Sequence, residues 1–239
     1  MQYEFELGFD RILSGDAPEY QDAEISVFLT KAQQKFINTK YSFKGNKNQE
    51  GFEFTEKRRK DLNELMSNTT VSISVVTSDN KPTGAFFDLP ADFMWAVNEE
   101  ADVSYIDCGG VIVQRRVSVS PIREDEYNGV IKNPFKKPCA KKVLRMDFSS
   151  NGTTKRHELI AETNTSVINY YVRYLRYPQP IITAELTNGR TVEGQTGPLD
   201  CELNESTHRD IIDLAIEIAL ETVEDKRLQS NVVLNNENE

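Results

Sequence analysis

The residues of this sequence best suited to proton transfer or metal ligation near neutral pH are its two histidines, His157 and His208. Neither has a second His, or a Cys, at ligand spacing, and a zinc site needs three or four convergent ligands. The three cysteines, Cys108, Cys139 and Cys201, lie far apart and form no CxxC pair, which fits reduced thiols. Carboxylates come next. Glu99-Glu100-Ala101-Asp102 and Glu124-Asp125-Glu126 would hold a hard cation or act as a hydrolytic pair only if two of them converged. Adjacent carboxylates on a strand point to opposite faces, so solvated turns and helix starts are the preferred reading. None of the twelve glycines forms GxGxxG or GxxxxGK, and no GxSxG elbow is present. Gly109-Gly110 reads as a hairpin turn before a strand. The expectation is therefore no catalytic residue, no cofactor and no metal, and no enzyme. A metal-dependent hydrolase working through Asp92, Glu99 or Asp102 is the chemical rival.

Charge points to protein partners instead. The net charge of -10 disfavours free binding to nucleic acid, because affinity for phosphate comes mainly from Lys and Arg. Two basic runs stand against that background. One is Lys57-Arg58-Arg59-Lys60. The other holds Lys132, Lys136, Lys137, Lys141, Lys142 and Arg145, with no acid among them and with Pro134 and Pro138 inside. A charge run is usually a solvated face. The sharper reading is an electrostatic counterpart for an acidic surface on another subunit. The C-terminal helix supplies one: Asp210, Asp213, Glu217, Glu221 and Glu224 follow steps of three and four and form one stripe. Basic edge against acidic edge, repeated, makes a heterologous contact that closes into a ring.

The elements that must carry these residues follow from periodicity. Pro18-Glu19-Tyr20 opens a helix with Ile25, Leu29, Ala32 and Phe36 on one buried stripe, leaving Lys31, Gln33, Gln34 and Lys35 for the rest of the turn. A polar loop from Lys44 to Gly51 follows. Thr55 then caps a second helix carrying Leu62, Leu65 and Met66. From Asn68 the pattern alternates. Val71, Ile73 and Val75 read as a half-buried strand, and Phe86 to Leu89 as a short apolar run stopped by Pro90. Val111, Val113, Val117 and Val119 share one parity, which Arg115 interrupts. Val143 to Phe148 and His157 to Ile160 form a hairpin candidate, and Ser166 to Tyr177 is the longest β signal. A short helix fits Arg123 to Ile131. The last helix opens on a capping-box pattern from Thr207 to Asp210 and runs to about Arg227, with Ile211, Ile212, Ala215, Ile218 and Ala219 on a broad face opposite the acidic stripe.

The predicted fold is α+β: a helical bundle from the N-terminal helices and the C-terminal helix, with an antiparallel β-rich region inserted. The predicted division is 1–67 with 202–228 as a helical assembly domain, 68–201 as the β-rich domain and 229–239 as a C-terminal arm. Val232, Val233 and Leu234 are the adhesive residues of that arm. The N-terminus, acidic and without a long apolar run, predicts no signal peptide. No stretch approaches the ~18 apolar residues of a membrane span.

Three segments carry a resemblance. Cys201 to Asn231, containing Asn204-Glu205-Ser206-Thr207-His208-Arg209-Asp210, resembles the C-terminus of ring-forming head-to-tail connector proteins of crAss-like bacteriophages. Glu24 to Tyr41 is similar to the N-terminal helix of that family. Leu89-Pro90-Ala91-Asp92-Phe93-Met94 resembles a strand entry of podovirus tail-adaptor proteins. The resemblance implies a structural protein of the virion, assembled in the host cytoplasm. It implies a dodecameric adaptor ring beside the portal protein, with other tail or ring proteins on its far side. DNA would pass through the centre without sequence-specific binding, and no membrane is involved. The rival binding reading is a receptor- or glycan-binding β-rich tail protein that uses Tyr170, Tyr171, Tyr174 and Tyr177.

Overall fold

The computed structural model describes residues 1–13, 20–41, 56–73, 81–107, 109–150, 154–187 and 189–222. The predicted loop from Lys44 to Gly51, the Thr55 cap, Val75, Cys108, Glu224 and the arm 229–239 lie outside them. The fold is α+β. The chain divides into two compact units, one made of residues 1–65 with 178–239, the other of residues 66–177.

The first unit holds α1 (Gln2–Leu13), α2 (Asp22–Tyr41), α3 (Glu56–Leu62) with a 3-10 turn at Asn63–Leu65, and a long C-terminal helix, α5 (Glu205–Thr222). The predicted stripe of α2 is its core face: Ile25, Leu29, Ala32 and Phe36 are all buried. Helix α1, which carries no strong signal of its own, joins through aromatic contacts. Phe5 stacks on Phe9 and Phe28, and Tyr20 meets Phe9 and Phe28 at centroid distances of 5.0 Å. Gly8 lets α1 approach α5 closely, since a Cβ there would lie 2.4 Å from Ile216 Cδ1. Helix α5 starts one turn earlier than the capping-box pattern suggests. Asn204 is the residue before the helix, and its Oδ1 accepts from the Ser206 N–H at 3.0 Å, while the Thr207 hydroxyl bonds the Asn204 carbonyl.

Residues 178–201 were expected among the strands but belong to this unit. The reason is polar. Ser26, Thr30 and Gln33 are buried on α2, not solvated as their type suggests. The Ile181 N–H donates to Thr30 Oγ1 at 3.1 Å and the Thr183 N–H to Ser26 Oγ at 3.1 Å. Two hydroxyls thus satisfy an irregular backbone that would otherwise be buried without partners. Ile182, Leu186 and Val192 form a small core there, against which Ala23 and Val27 pack.

The second unit is one curled seven-stranded sheet of order β1-β7-β3-β4-β5-β6-β2. The strands are β1 (Met66–Ser72), β2 (Gly84–Asp88), β3 (Phe93–Ile106), β4 (Ile112–Pro121), β5 (Lys142–Ser150), β6 (Thr154–Ile160) and β7 (Thr165–Arg176). Met66, expected on a helix, opens β1 opposite Leu175. The predicted hairpin forms between β5 and β6. The sheet is not wholly antiparallel, because β4 and β5 pair in parallel from Ser118↔Lys142 to Pro121↔Arg145. A parallel pair needs a crossover connection. A 3-10 turn (Glu124–Glu126) and helix α4 (Tyr127–Lys132) supply it, covering the predicted short helix. Its Tyr127, Val130 and Ile131 pack on Leu144, Met146 and Ile160. The opposite face holds the main core, including Phe87, Ala101, Val103, Val117, Leu159, Tyr170 and Val172.

The β3–β4 hairpin runs past that core. Its turn closes through the Asp107 N–H to the Val111 carbonyl at 2.9 Å, with Gly110 at φ 76°. Val117 and Val119 are buried, whereas Val111 is 64% exposed and Arg115, of the same parity, is also exposed. The alternation persists along the strand, but the core it would face ends near Val117.

Candidate interaction surfaces and a buried polar cluster

The basic segment is built rigidly. Asn133 accepts three backbone N–H groups, from Phe135 through its side chain and from Lys136 and Lys137 through its carbonyl. Cys139 and Lys142 exchange backbone hydrogen bonds at 3.0 Å. Lys132, Lys136, Lys137 and Lys141 are exposed and Lys142 is half-buried. Among the described residues none of the five is held in an ion pair. Phe135 stands 95% exposed in their midst. An exposed aromatic on an ordered turn, flanked in sequence by exposed lysines, has the composition of an interface anchor with a charged rim.

Arg145, the sixth member of that run, turns inward instead. Its side chain is only 13% exposed and lies 3.4 Å from Glu99 Oε1. Its Nη1 is 2.9 Å from His157 Nε2 and 3.0 Å from Asp147 Oδ1. His157 Nδ1 lies 2.8 Å from the Tyr170 hydroxyl, which in turn donates to Glu99. The donors form a closed circuit: Arg145 to His157, His157 to Tyr170, Tyr170 to Glu99, with Glu99 facing Arg145. That circuit requires neutral His157 with its proton on Nδ1. Burial pulls the His157 pKa down, in the direction the circuit needs. Burial and the Glu99 carboxylate push the Tyr170 phenol up.

This cluster is the most chemically suggestive constellation among the described residues, and its members link strands β3, β5, β6 and β7. His157 is 2% exposed and Tyr170 fully buried. The strand-spacing argument about adjacent acids holds here: Glu99 faces the cluster, while Glu100 and Asp102 meet Arg116 at 3.9 and 3.1 Å. Arg116 and the Tyr171 hydroxyl together lower the Asp102 pKa. Asp92 accepts from Tyr174 at 3.1 Å. Glu124 pairs with Lys81, and Asp125 and Glu126 with Arg123. The three carboxylates of the hydrolase rival do not converge. Among the described residues no group of three His, Cys, Asp or Glu is placed to hold a metal ion. His208 bonds the Leu203 carbonyl at 3.0 Å.

The tyrosine platform is likewise dispersed. Tyr170 and Tyr174 are buried, Tyr171 lies under Arg116 at 3.9 Å and Tyr177 under Lys155 at 4.4 Å. The acidic stripe of α5 is only partly open. Asp210 and Glu221 are exposed, whereas Asp213 and Glu217 are half-buried. Glu217 lies 3.6 Å from Lys35 of the same chain. Burial raises the Asp213 pKa. No described helix is long and apolar enough to cross a membrane.

The circuit carries a pH dependence. A His whose folded pKa is depressed stays neutral in the native state while the unfolded chain takes up protons below about 6.5. Stability contributed by His157 is therefore present above that value and falls as the pH drops through it. The limiting slope is about 1.4 kcal/mol per pH unit. Glu158, whose pKa burial raises, acts with the opposite sign at lower pH. Denaturant midpoints at pH 7.5 and 5.5 should fall for the native chain and fall less for His157→Gln. Equal losses in both would show that His157 does not titrate differently on folding.

Comparison with known proteins gives a consistent picture. A family model described as phage tail ring protein 3/4 matches residues 1–231. The chain is 31% identical to ring protein 4/5 of Bacteroides phage crAss001 over 225 residues, covering 90% of this chain and 89% of that one. It is 32% identical to ring protein 3 of the same phage over 222 residues, covering 91% and 94%.

Proposed function

The chain belongs to the phage tail ring protein 3/4 family, and from that premise we propose that it is a structural ring subunit of a head-to-tail connector, bridging portal and tail around the DNA channel. The observation that carries the reading is the match over nearly the whole length of ring proteins of comparable size. The hydrogen-bonded turn at Asn133, with its exposed Phe135 and with lysines that form no ion pair among the described residues, supports a role in contact with other proteins. The helices α1, α2 and α5 act as a bundle-like assembly region, and the sheet unit presents Lys132, Lys136, Lys137, Lys141 and Lys142 to a neighbour. Asp213, Glu217 and Glu221 form the matching acidic edge, in which Glu221 is the most available carboxylate. Residues 229–239 reach an adjacent subunit through Val232, Val233 and Leu234. A dodecamer is the expected order of the ring, and its acidic balance suits a conduit through which DNA slides without sticking.

The test is solution mass measured beside negative-stain images of the full-length chain, alone and with portal protein. A ring with a central hole is expected. A chain that stays monomeric at high concentration and adds no density to the portal would overturn the reading.

A further inference from the structure

An open groove of about 490 Å³ runs along the first unit, lined by Ala23, Val27 and Phe28 of α2, by Leu186 and Val192, and by Thr222. It is mainly apolar inside, and the charged residues Glu24, Lys31 and Arg190 also line it. The small core of Ile182, Leu186 and Val192 lies beneath it. We propose that this groove is the seat of the Val232-Val233-Leu234 segment of a second copy of this chain. The inference rests on the ring reading and names the acceptor surface for its arm.

Three observations select that occupant. The sequence beyond Thr222 contains one run of three consecutive aliphatic residues, and the groove is an aliphatic surface able to accept it. Acidic residues follow that run at Glu237 and Glu239, and the groove's lining carries two cations, Lys31 and Arg190, against one acid, Glu24. The third observation is distance. Thr222 itself lines the groove, so the sequence that follows it starts at the groove's edge. Val232 comes ten residues later, a reach of up to about 33 Å at full extension. That reach is long enough to carry Val232, Val233 and Leu234 to the same groove of an adjacent subunit. Repeated around a closed ring, each contact is also reinforced by its neighbours, because linked sites bind at high effective concentration.

The experiment uses the full chain carrying Val27→Cys and Val233→Cys, with each single variant as a control for the native thiols. Mild oxidation followed by non-reducing electrophoresis is expected to give a ladder of linked subunits in the double variant and not in the single ones. Deletion of residues 229–239 is expected to weaken self-association at least tenfold while leaving the thermal midpoint of the subunit unchanged. A crosslink confined within one chain would show that the segment finishes its own core, and would overturn the proposal. Absence of any specific crosslink would do the same. Images of the unmodified chain separate the two levels of failure: rings without the crosslink refute only the groove, whereas a persistent monomer refutes the ring reading beneath it.

Discussion

Replacing Arg145 with methionine is expected to lower the unfolding free energy of the sheet unit by about 3–5 kcal/mol, the usual result of removing one partner from a buried ionic cluster. Glu99 would keep the Tyr170 hydroxyl but lose its only cationic neighbour in the cluster, and His157 Nε2 would lose its donor. For a chain of this size that corresponds to roughly 10 °C or more in the midpoint of the affected transition. Two controls separate this account from simple loss of packing. Asp147→Asn should cost little, since that side chain is 78% exposed. Glu99→Gln combined with Arg145→Met should recover part of the loss, because the uncompensated charge is then gone. The measurement is denaturant unfolding of the native chain, Glu99→Gln, Arg145→Met and the double variant as a cycle. Additive losses for Glu99→Gln and Arg145→Met would mean that the two residues do not act as a pair.

The second large effect concerns assembly and not stability. Lys136→Glu, Lys137→Glu and Lys141→Glu together shift the net charge from -10 to -16, since each reversal changes it by two. All three side chains are exposed, so the folded subunit should be nearly indifferent to the change. Against an acidic partner edge the loss should reach about 2–4 kcal/mol, or roughly 30- to 1000-fold in the association constant. The effect should shrink as salt rises, because rim charges are screened over about 10 Å at 0.1 M ionic strength. Phe135→Ala should weaken assembly with much less dependence on salt, since its contribution is apolar burial. Sedimentation at two salt concentrations distinguishes these outcomes. Unchanged assembly of the triple variant at both would show that the segment is only a solvated face.

Reading Arg145 correctly depended on knowing its neighbours across the sheet. In the sequence it sits four residues after Lys141, in a stretch without an acid. Its counter-charge, Glu99, is on another strand, and His157 and Tyr170 are on two more. The alternation of β5 does place Arg145 on the opposite face from Leu144 and Met146, but both faces of this strand are covered. Gln33, Ser26 and Thr30 mislead in a related way, because their partners in the 178–201 segment are far along the chain and irregular in backbone.

What local order dictates was legible from the residues alone: the α2 stripe, the β5–β6 hairpin, the long β7 signal, the α5 apolar face and the α+β class. Each depends on a period of 3.6 or 2 and on neighbours a few positions away, so the chain states it directly. The absence of a nucleotide or nucleophile motif belongs to the same class of information, and so do the composition and charge of the basic run. Strand order, the single parallel pairing, the inward turn of Arg145 and the covering of Tyr171 and Tyr177 by cations were decided only by tertiary structure. So was the division of surface between Glu217, engaged by Lys35, and Glu221, left open. Those outcomes depend on which distant segments close a loop against one another. The free energy of that choice is a sum over many long-range contacts and burial terms, and no local pattern encodes it.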